Sequence, residues 1–526
     1  MLVLLTFGLY GLTLLAIGIL RLTRRSFSYA WLAAALGALL AWVSVFAWQT
    51  SLPALVHLNS WQSASLFSSW PLLVVDEVAW VYALALSALA LAVILAAPAQ
   101  TTGVSLSAWV GTLGLTGMGM LAVLSANPLT LVMVWTGLDL LELTNTLRLV
   151  RKPDLSERVV VSFAVRALGT GFALWAIVTN GVVLPSFEAI SSQSALFLFL
   201  AVGLRLGVLP LHLTYRNEPA LRRGMGTVLR MAAASSSLVL LARLPGGLFA
   251  PEVVAILQVF LTLAFLYAAW KWLGAPGELP ARPYWIVGLG ALSLLASLRG
   301  NPAGSVAWGA ALVLCGGVVF LYSSRQRGLT FFLSTLVLGM FSLPFSLTAV
   351  TWDGAAAFDG WFWLFLVAGQ SLLAIGFVRH LWRTSESELE NMPRWAQSAY
   401  PLGLFVLAAT ILLLGLWGWS GAMQVGLWPV GAAVAAVTLV ALSVWWRISR
   451  FGTLGQDADR PAVTEVTAPS RLTHFLEWLA SLLWGFYRSL RRLVDFFSGL
   501  LEGDGGLLWT VLALILLLIW FQQISM

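Results

Sequence analysis

LTLVMVWTGLDLLELTNTLRLV, Leu129 to Val150, decides how this chain is read. Its first twenty residues are apolar enough to cross a bilayer as a helix, yet Asp139 lies near the middle and Glu142 follows about one turn later. A carboxylate at mid-helix costs about 2.5 to 3.5 kcal/mol on insertion scales, and such residues mark an ion pathway or a buried pair. The stretch therefore reads as a transmembrane helix with one polar face. Some other part of the chain must compensate its charge.

The remaining sequence supports that reading. Of 526 residues, 60% are hydrophobic and only 10% charged, and the mean hydropathy is +0.90. That composition excludes the soluble globular classes. Apolar runs of about 17 to 25 residues, each able to cross roughly 30 Å of hydrocarbon, recur from end to end. The fold class expected is all-α, a polytopic membrane protein of about sixteen transmembrane helices. They run near 2–20, 30–49, 72–97, 104–124, 128–148, 159–183, 194–212, 224–244, 250–272, 284–299, 303–323, 329–351, 360–380, 400–419, 424–447 and 506–524. The first run, Leu2 to Leu20, lacks the charged start and small-residue cleavage site of a signal peptide, and reads as a span.

Alternate loops carry the arginines: Arg21, Arg24 and Arg25; Arg148, Arg151, Lys152 and Arg158; Arg216, Arg222 and Arg223; Lys271; Arg325 and Arg327; Arg379 and Arg383; Arg447 and Arg450. Glu188, Asp353 and Asp359 fall on the opposite side, with Arg243 and Arg299 against the trend. By the positive-inside rule both termini face outside, in what reads as a bacterial inner membrane. The net charge of +7 follows from this loop bias, so the expected partners are lipid and other membrane subunits, not nucleic acid. The lone Cys315 rules out an intrachain disulfide, and four histidines without HExxH spacing argue against a metal site. There is no GxxxxGK[ST] phosphate loop, and no cofactor is expected.

Two runs are interrupted. Gly207 and Pro210 lie in or just past span seven, and Pro344 lies inside span twelve. Proline removes a backbone donor and crowds the preceding turn, so both spans should be broken helices. Within a membrane such breaks line protein or a hydrated cavity. The organisation expected is an N-terminal helical part (1–70), a core (71–350), further spans (351–450), a polar linker (451–470), an amphipathic surface helix (471–500) and a last span (501–526).

Thr136, Asp139, Glu142 and Asn145 recur at intervals of three, a slowly turning stripe on one side of a helix. Arg205, deep in span seven, and Arg230, in span eight, are the candidate counter-charges. An acid and an arginine on neighbouring helices compensate each other's desolvation, either as a structural lock or as part of an ion path. Arg230 is also close enough to a basic loop to snorkel. His212, after Pro210, is a polar cap or a proton carrier. Asp76 and Glu77 read as interfacial.

At these motifs the chain resembles a family. NPLTLVMVWTGLDLLEL is similar to the fifth-span signature of the antiporter-like, proton-conducting subunits of respiratory complex I and of Mrp-type antiporters. RLGVLPLHL, Arg205 to Leu213, resembles their seventh-span motif. GMGTVLRMAAASSSLVLLARL resembles the eighth, and LVVDEVAWVYALAL the start of the third. The departures are specific. Thr136 stands where the family has glutamate, with Asp139 three residues on; Arg205 replaces the family's lysine; Leu229 and Arg230 fall near the span-eight histidine or lysine; and no lysine follows Pro344. The resemblance implies an antiporter-like subunit of a proton- or cation-translocating complex related to NADH-quinone oxidoreductase, itself non-catalytic, with altered proton-path residues. A non-conducting structural subunit and a stand-alone secondary transporter are the alternatives left by the sequence.

Overall fold

A computed structural model describes residues 2–23, 27–57, 72–99, 106–150, 153–180, 190–213, 223–324, 326–352, 362–383, 392–419, 428–454 and 509–516, with single positions 187, 221, 492 and 519. The described chain is almost entirely helical: α1 (Leu2–Leu22), α2 (Phe27–Ala47), α3 (Glu77–Ala96), α4 (Leu106–Val123), α5 (Pro128–Leu149), α6 (Pro153–Thr179), α7 (Ser192–Leu206), α8 (Arg223–Arg243), α9 (Pro251–Gly274), α10 (Glu278–Leu298), α11 (Pro302–Leu321), α12 (Arg327–Thr335), α13 (Phe362–Leu381), α14 (Arg394–Leu416) and α15 (Trp428–Leu454). Among the described residues, eleven helices are long and apolar enough to cross a membrane. The others expected are α5, whose charges lower its hydropathy, the shorter α7 and α12, α15, whose apolar part is limited to Trp428–Val444, and the last span, described only at 509–516 and 519 and helical there. The expected surface helix over 471–500 and the linker before it lie outside the described residues, apart from position 492.

Helix starts follow local chemistry. Asn127 caps α5 by accepting from the Thr130 N–H at 2.8 Å, with Pro128 at the first position, and Asn301 caps α11 in the same way before Pro302. Span three starts later than its hydropathy suggests. Leu72–Val75 (β2) pairs antiparallel with Ala54–His57 (β1), and α3 begins only after Asp76, whose side chain accepts from the Ala79 N–H at 2.7 Å. This two-stranded pair is the one sheet among the described residues.

Both expected breaks exist, but prolines do not place them. α7 ends at Leu206, where Gly207 takes φ 72°, and the Val208 and Leu209 N–H groups both donate to the Gly203 carbonyl. Glycine adopts that left-handed conformation without the Cβ clash, and Pro210 simply follows the cap. In span twelve α12 stops at Thr335, tightens to a 3₁₀ turn over Leu336–Met340 and then runs as turns through 352, so the second half of the expected 329–351 helix does not form. Ser342 and Phe345 there have φ of 56° and 62°, on either side of Pro344. The exposed carbonyls are taken up by side chains: Gln370 on α13 donates to Met340 O at 2.6 Å, and Asn301 donates to Val350 O at 2.9 Å.

The chain divides into two compact units, Met1–Pro210 with Tyr215–Ala435, and Leu211–Thr214 with Ala436–Met526. In the first, α3 and α11 are enclosed almost completely by their neighbours, as are α8 and α10, whereas α1 and α6 keep much of their surface outside. α6 packs against both α5 and α7. The described part of the second unit comprises residues 211–213, the remainder of α15, position 492 and the final helical stretch.

Candidate functional site

α5 is sided. Trp135, Leu138, Asp139, Glu142, Asn145 and Thr146 are buried, at the three- and four-residue spacing of one helical face, while Met133, Leu140 and Leu147 are exposed. Thr136 departs from the expected stripe. It is exposed and donates to its own helix at Val132 O, 2.9 Å away. A strict interval of three drifts backwards around a helix of 3.6 residues per turn, so the buried face reaches Trp135 and misses Thr136.

Asp139 meets two arginines. Arg205 grips it as a fork, Nη1 to Oδ2 at 2.6 Å and Nη2 to Oδ1 at 2.8 Å. The rest of this guanidinium is engaged too: Nη1 donates to Thr170 Oγ1 at 2.9 Å, Nε donates to Ser237 Oγ at 3.2 Å, and Cζ lies 4.2 Å from the centre of the Trp135 ring. The indole N–H of Trp135 donates to Ser236 O at 2.9 Å, which fixes the ring under the cation. Arg205 is wholly enclosed, and Gly169 makes that possible: a Cβ there would lie 2.8 Å from Arg205 Cγ.

The second cation is Arg166 on α6, which the sequence reading passed over. Its Nη2 lies 2.8 Å from Asp139 Oδ1, and its Nη1 bonds Glu142 Oε2, so one guanidinium bridges both carboxylates. The signal was an arginine eight residues into the expected 159–183 span. Arg230 reaches Glu142 Oε1 at 3.3 Å from α8. It is half-buried, between the ion-paired and snorkelling roles expected of it. The structure thus brings together Asp139, Glu142, Arg205 and Arg230, adds Arg166, and leaves Pro210 and Pro344 at the breaks. His212 is buried, falls in the second unit and is described apart from the cluster.

Three guanidiniums and two carboxylates leave one positive charge in excess. Such a group is stable in a membrane only because every carboxylate oxygen has a charged donor. The two acids differ, however. Asp139 is saturated by groups that do not release protons. Both acids border one small cavity, lined also by Thr146, Ser162, Arg166 and Arg230, but Glu142 receives only one contact from each of two arginines. A second buried pair, Arg223 with Glu278 at 2.8 Å, sits at the starts of α8 and α10, where Arg223 was expected in a loop; its other amine donates to Phe320 O at 2.9 Å.

No protein-family model matches the chain, and no curated protein does. Solved structures do. A chain in the structure of the Mrp complex from Dietzia sp. DQ12-45-1b superimposes with a TM-score of 0.68 at 14% identity, over 100% of this chain and 63% of that one. The chain has the fold of an antiporter-complex membrane chain. A chain of the membrane-bound sulfane sulfur reductase, an archaeal respiratory membrane complex, gives 0.63 at 13% identity, covering 99% and 100%. One from respiratory complex I of Thermus thermophilus with bound aureothin gives 0.58 at 19% identity, covering 80% and 100%. This chain therefore spans about two thirds or less of the Mrp chain's length (63%) but the full length of the other two. The fold implied by the motif resemblance is the fold found.

Proposed function

We propose that this protein is an antiporter-like membrane subunit of a multi-subunit proton- or cation-translocating complex related to NADH-quinone oxidoreductase. It sits among other membrane subunits in a bacterial inner membrane, with both termini outside. The observation that carries the reading is the pairing of an α5 carboxylate with a cation on α7 immediately before that helix breaks, in a fold shared with chains of an Mrp complex, an archaeal respiratory membrane complex and respiratory complex I.

Within it, Asp139 and Arg205 form the fixed part of the polar axis, because a guanidinium is a poor relay member. Glu142 is the acid that exchanges a proton, at the edge of the cavity and in contact with Arg166 and Arg230. The rival, a non-conducting structural copy of the fold, draws on the saturation of Asp139. Glu142→Gln separates the two. It keeps the shape and one acceptor but leaves three guanidiniums facing Asp139 alone, so the comparison is made at matched content of assembled complex. Translocation in reconstituted vesicles should be lost if Glu142 carries protons and kept if it only holds helices together.

A further inference from the structure

The cavity beside Asp139 and Glu142 is polar at one end and apolar at the other. It measures about 20 Å³, room for water, and two carboxylates, Ser162, Arg166 and Arg230 offer water its hydrogen bonds. Leu143 and Val159 line it as well. Both also belong to a small apolar cluster, in which Val150, Val159 and Leu221 are buried and Leu143 and Leu149 pack against them. That cluster lies to one side of the charges. Val150 comes eight residues after Glu142 along α5 and its cap, a rise of about 12 Å, and Val159 comes seven residues before Arg166 on α6, which returns beside α5. Just beyond are Arg148 and Arg158, both exposed, at the arginine-rich end of the two helices. Thr146, between Glu142 and Val150, donates its hydroxyl to Glu142 O at 2.7 Å and is committed to its own helix. Leu221 enters from just before α8 and is seated by Gly226, where a Cβ would lie 2.7 Å from Leu221 Cβ.

We propose that Val150, Val159 and Leu221, braced by Leu143 and Leu149, form a hydrophobic gate between this cavity and water at the arginine-rich end. A packed apolar constriction gives water no partners, so it stays dry and interrupts a proton or ion path without using any charge. Wetting it joins the cavity to the surface. Leu221 is the one member outside the α5–α6 pair, so a shift at the start of α8 opens the gate while the ion pairs between α5 and α6 stay made. Glu142 then exchanges protons with that side only while the gate is wet. The effect on proton flux rests on the reading of Glu142 as the exchanging acid; the control of water access does not.

The test places a thiol in the cavity with Ser162→Cys and labels the intact complex, in lipid nanodiscs, with a small anionic methanethiosulfonate that does not enter hydrocarbon. The mass of the peptide carrying residue 162 gives the labelling rate, and the natural Cys315, which is buried, is the internal control. With the gate intact, labelling should be slow. Leu221→Ala should speed it on the order of tenfold or more, as a dry constriction becomes wet. Val159→Thr, which keeps the shape and adds a hydroxyl, should also speed it, and serves if Leu221→Ala does not assemble. Leu147→Ala, on the exposed face of α5, should leave the rate unchanged. Fast labelling with the gate intact, or a rate unmoved by either gate variant, would overturn the proposal. In sealed vesicles Leu221→Ala should also raise the passive proton leak, and adding Glu142→Gln should remove that rise. Faster labelling without any leak would support the gate and count against Glu142 as the exchanging acid.

Discussion

Replacing Asp139 by asparagine should be more damaging than removing the arginine that grips it. Asp139 accepts three charge-assisted bonds, at 2.6 and 2.8 Å from Arg205 and 2.8 Å from Arg166. Asparagine keeps the shape and at most one acceptor, and leaves three guanidiniums facing Glu142 alone. Taken singly, bonds to charged groups contribute about 1.5 to 3 kcal/mol each, but they share one carboxylate and do not add. The better guide is the cost of stranding a buried charge, about 3 to 5 kcal/mol, or two to three and a half powers of ten in the unfolding equilibrium. Arg205→Gln instead leaves two arginines and two carboxylates, and Arg166 still holds Asp139, so its cost should be smaller. The double variant restores the excess of one positive charge found in the natural cluster, and should recover about 1 to 3 kcal/mol relative to the sum of the singles. The assay is reversible unfolding in mixed micelles, with yield of assembled complex as the cellular counterpart. A double variant that is additive within about 0.5 kcal/mol, or Arg205→Gln costing more than Asp139→Asn, would refute the electrostatic reasoning.

Other consequences are local. Trp135→Phe keeps a ring under Arg205 but removes the donor to Ser236 O, and should cost about 1 kcal/mol; Trp135→Leu loses the cation–π contact as well and should cost about 2 kcal/mol more, both read by unfolding. Gly203→Ala places a methyl 2.7 Å from Leu209 Cβ and 3.0 Å from Leu209 O, where the chain folds back at the break, and should destabilise more than Gly207→Ala, whose φ of 72° costs about 1 to 2 kcal/mol. Asn301→Ala loses the cap of α11 and the donor to Val350 O together, so thermal unfolding should fall by more than the roughly 1 kcal/mol of a cap alone.

The membrane class, most of the spans and the two broken helices were legible because they rest on composition and on strong local signals. The polar face of α5 was legible as well, since two carboxylates in an apolar run cannot face lipid. What failed was what one sequence does not hold. The link between Asp139 and Glu142 depends on α6 packing on both α5 and α7, a tertiary fact, and nothing local in the sequence sets Arg166 beside them. Thr136 was drawn into the stripe by an interval of three where the helix turns every 3.6 residues. Pro210 is the visible helix breaker in span seven, yet Gly207 ends the helix first. Span three began too early because hydropathy does not distinguish the strand Leu72–Val75 from the helix that follows its Asp76 cap.

The most direct measurement is ion translocation by the intact complex in sealed vesicles, wild type beside Glu142→Gln, at matched content of assembled subunits. A pH-sensitive dye inside the vesicles reports the flux while the partner module is driven. With Glu142 as the exchanging acid between Arg166 and Arg230, the flux through this subunit should vanish in whatever fraction of the variant assembles. A variant that assembles and translocates at the wild-type rate would contradict that account and leave the five charges as a lock between helices.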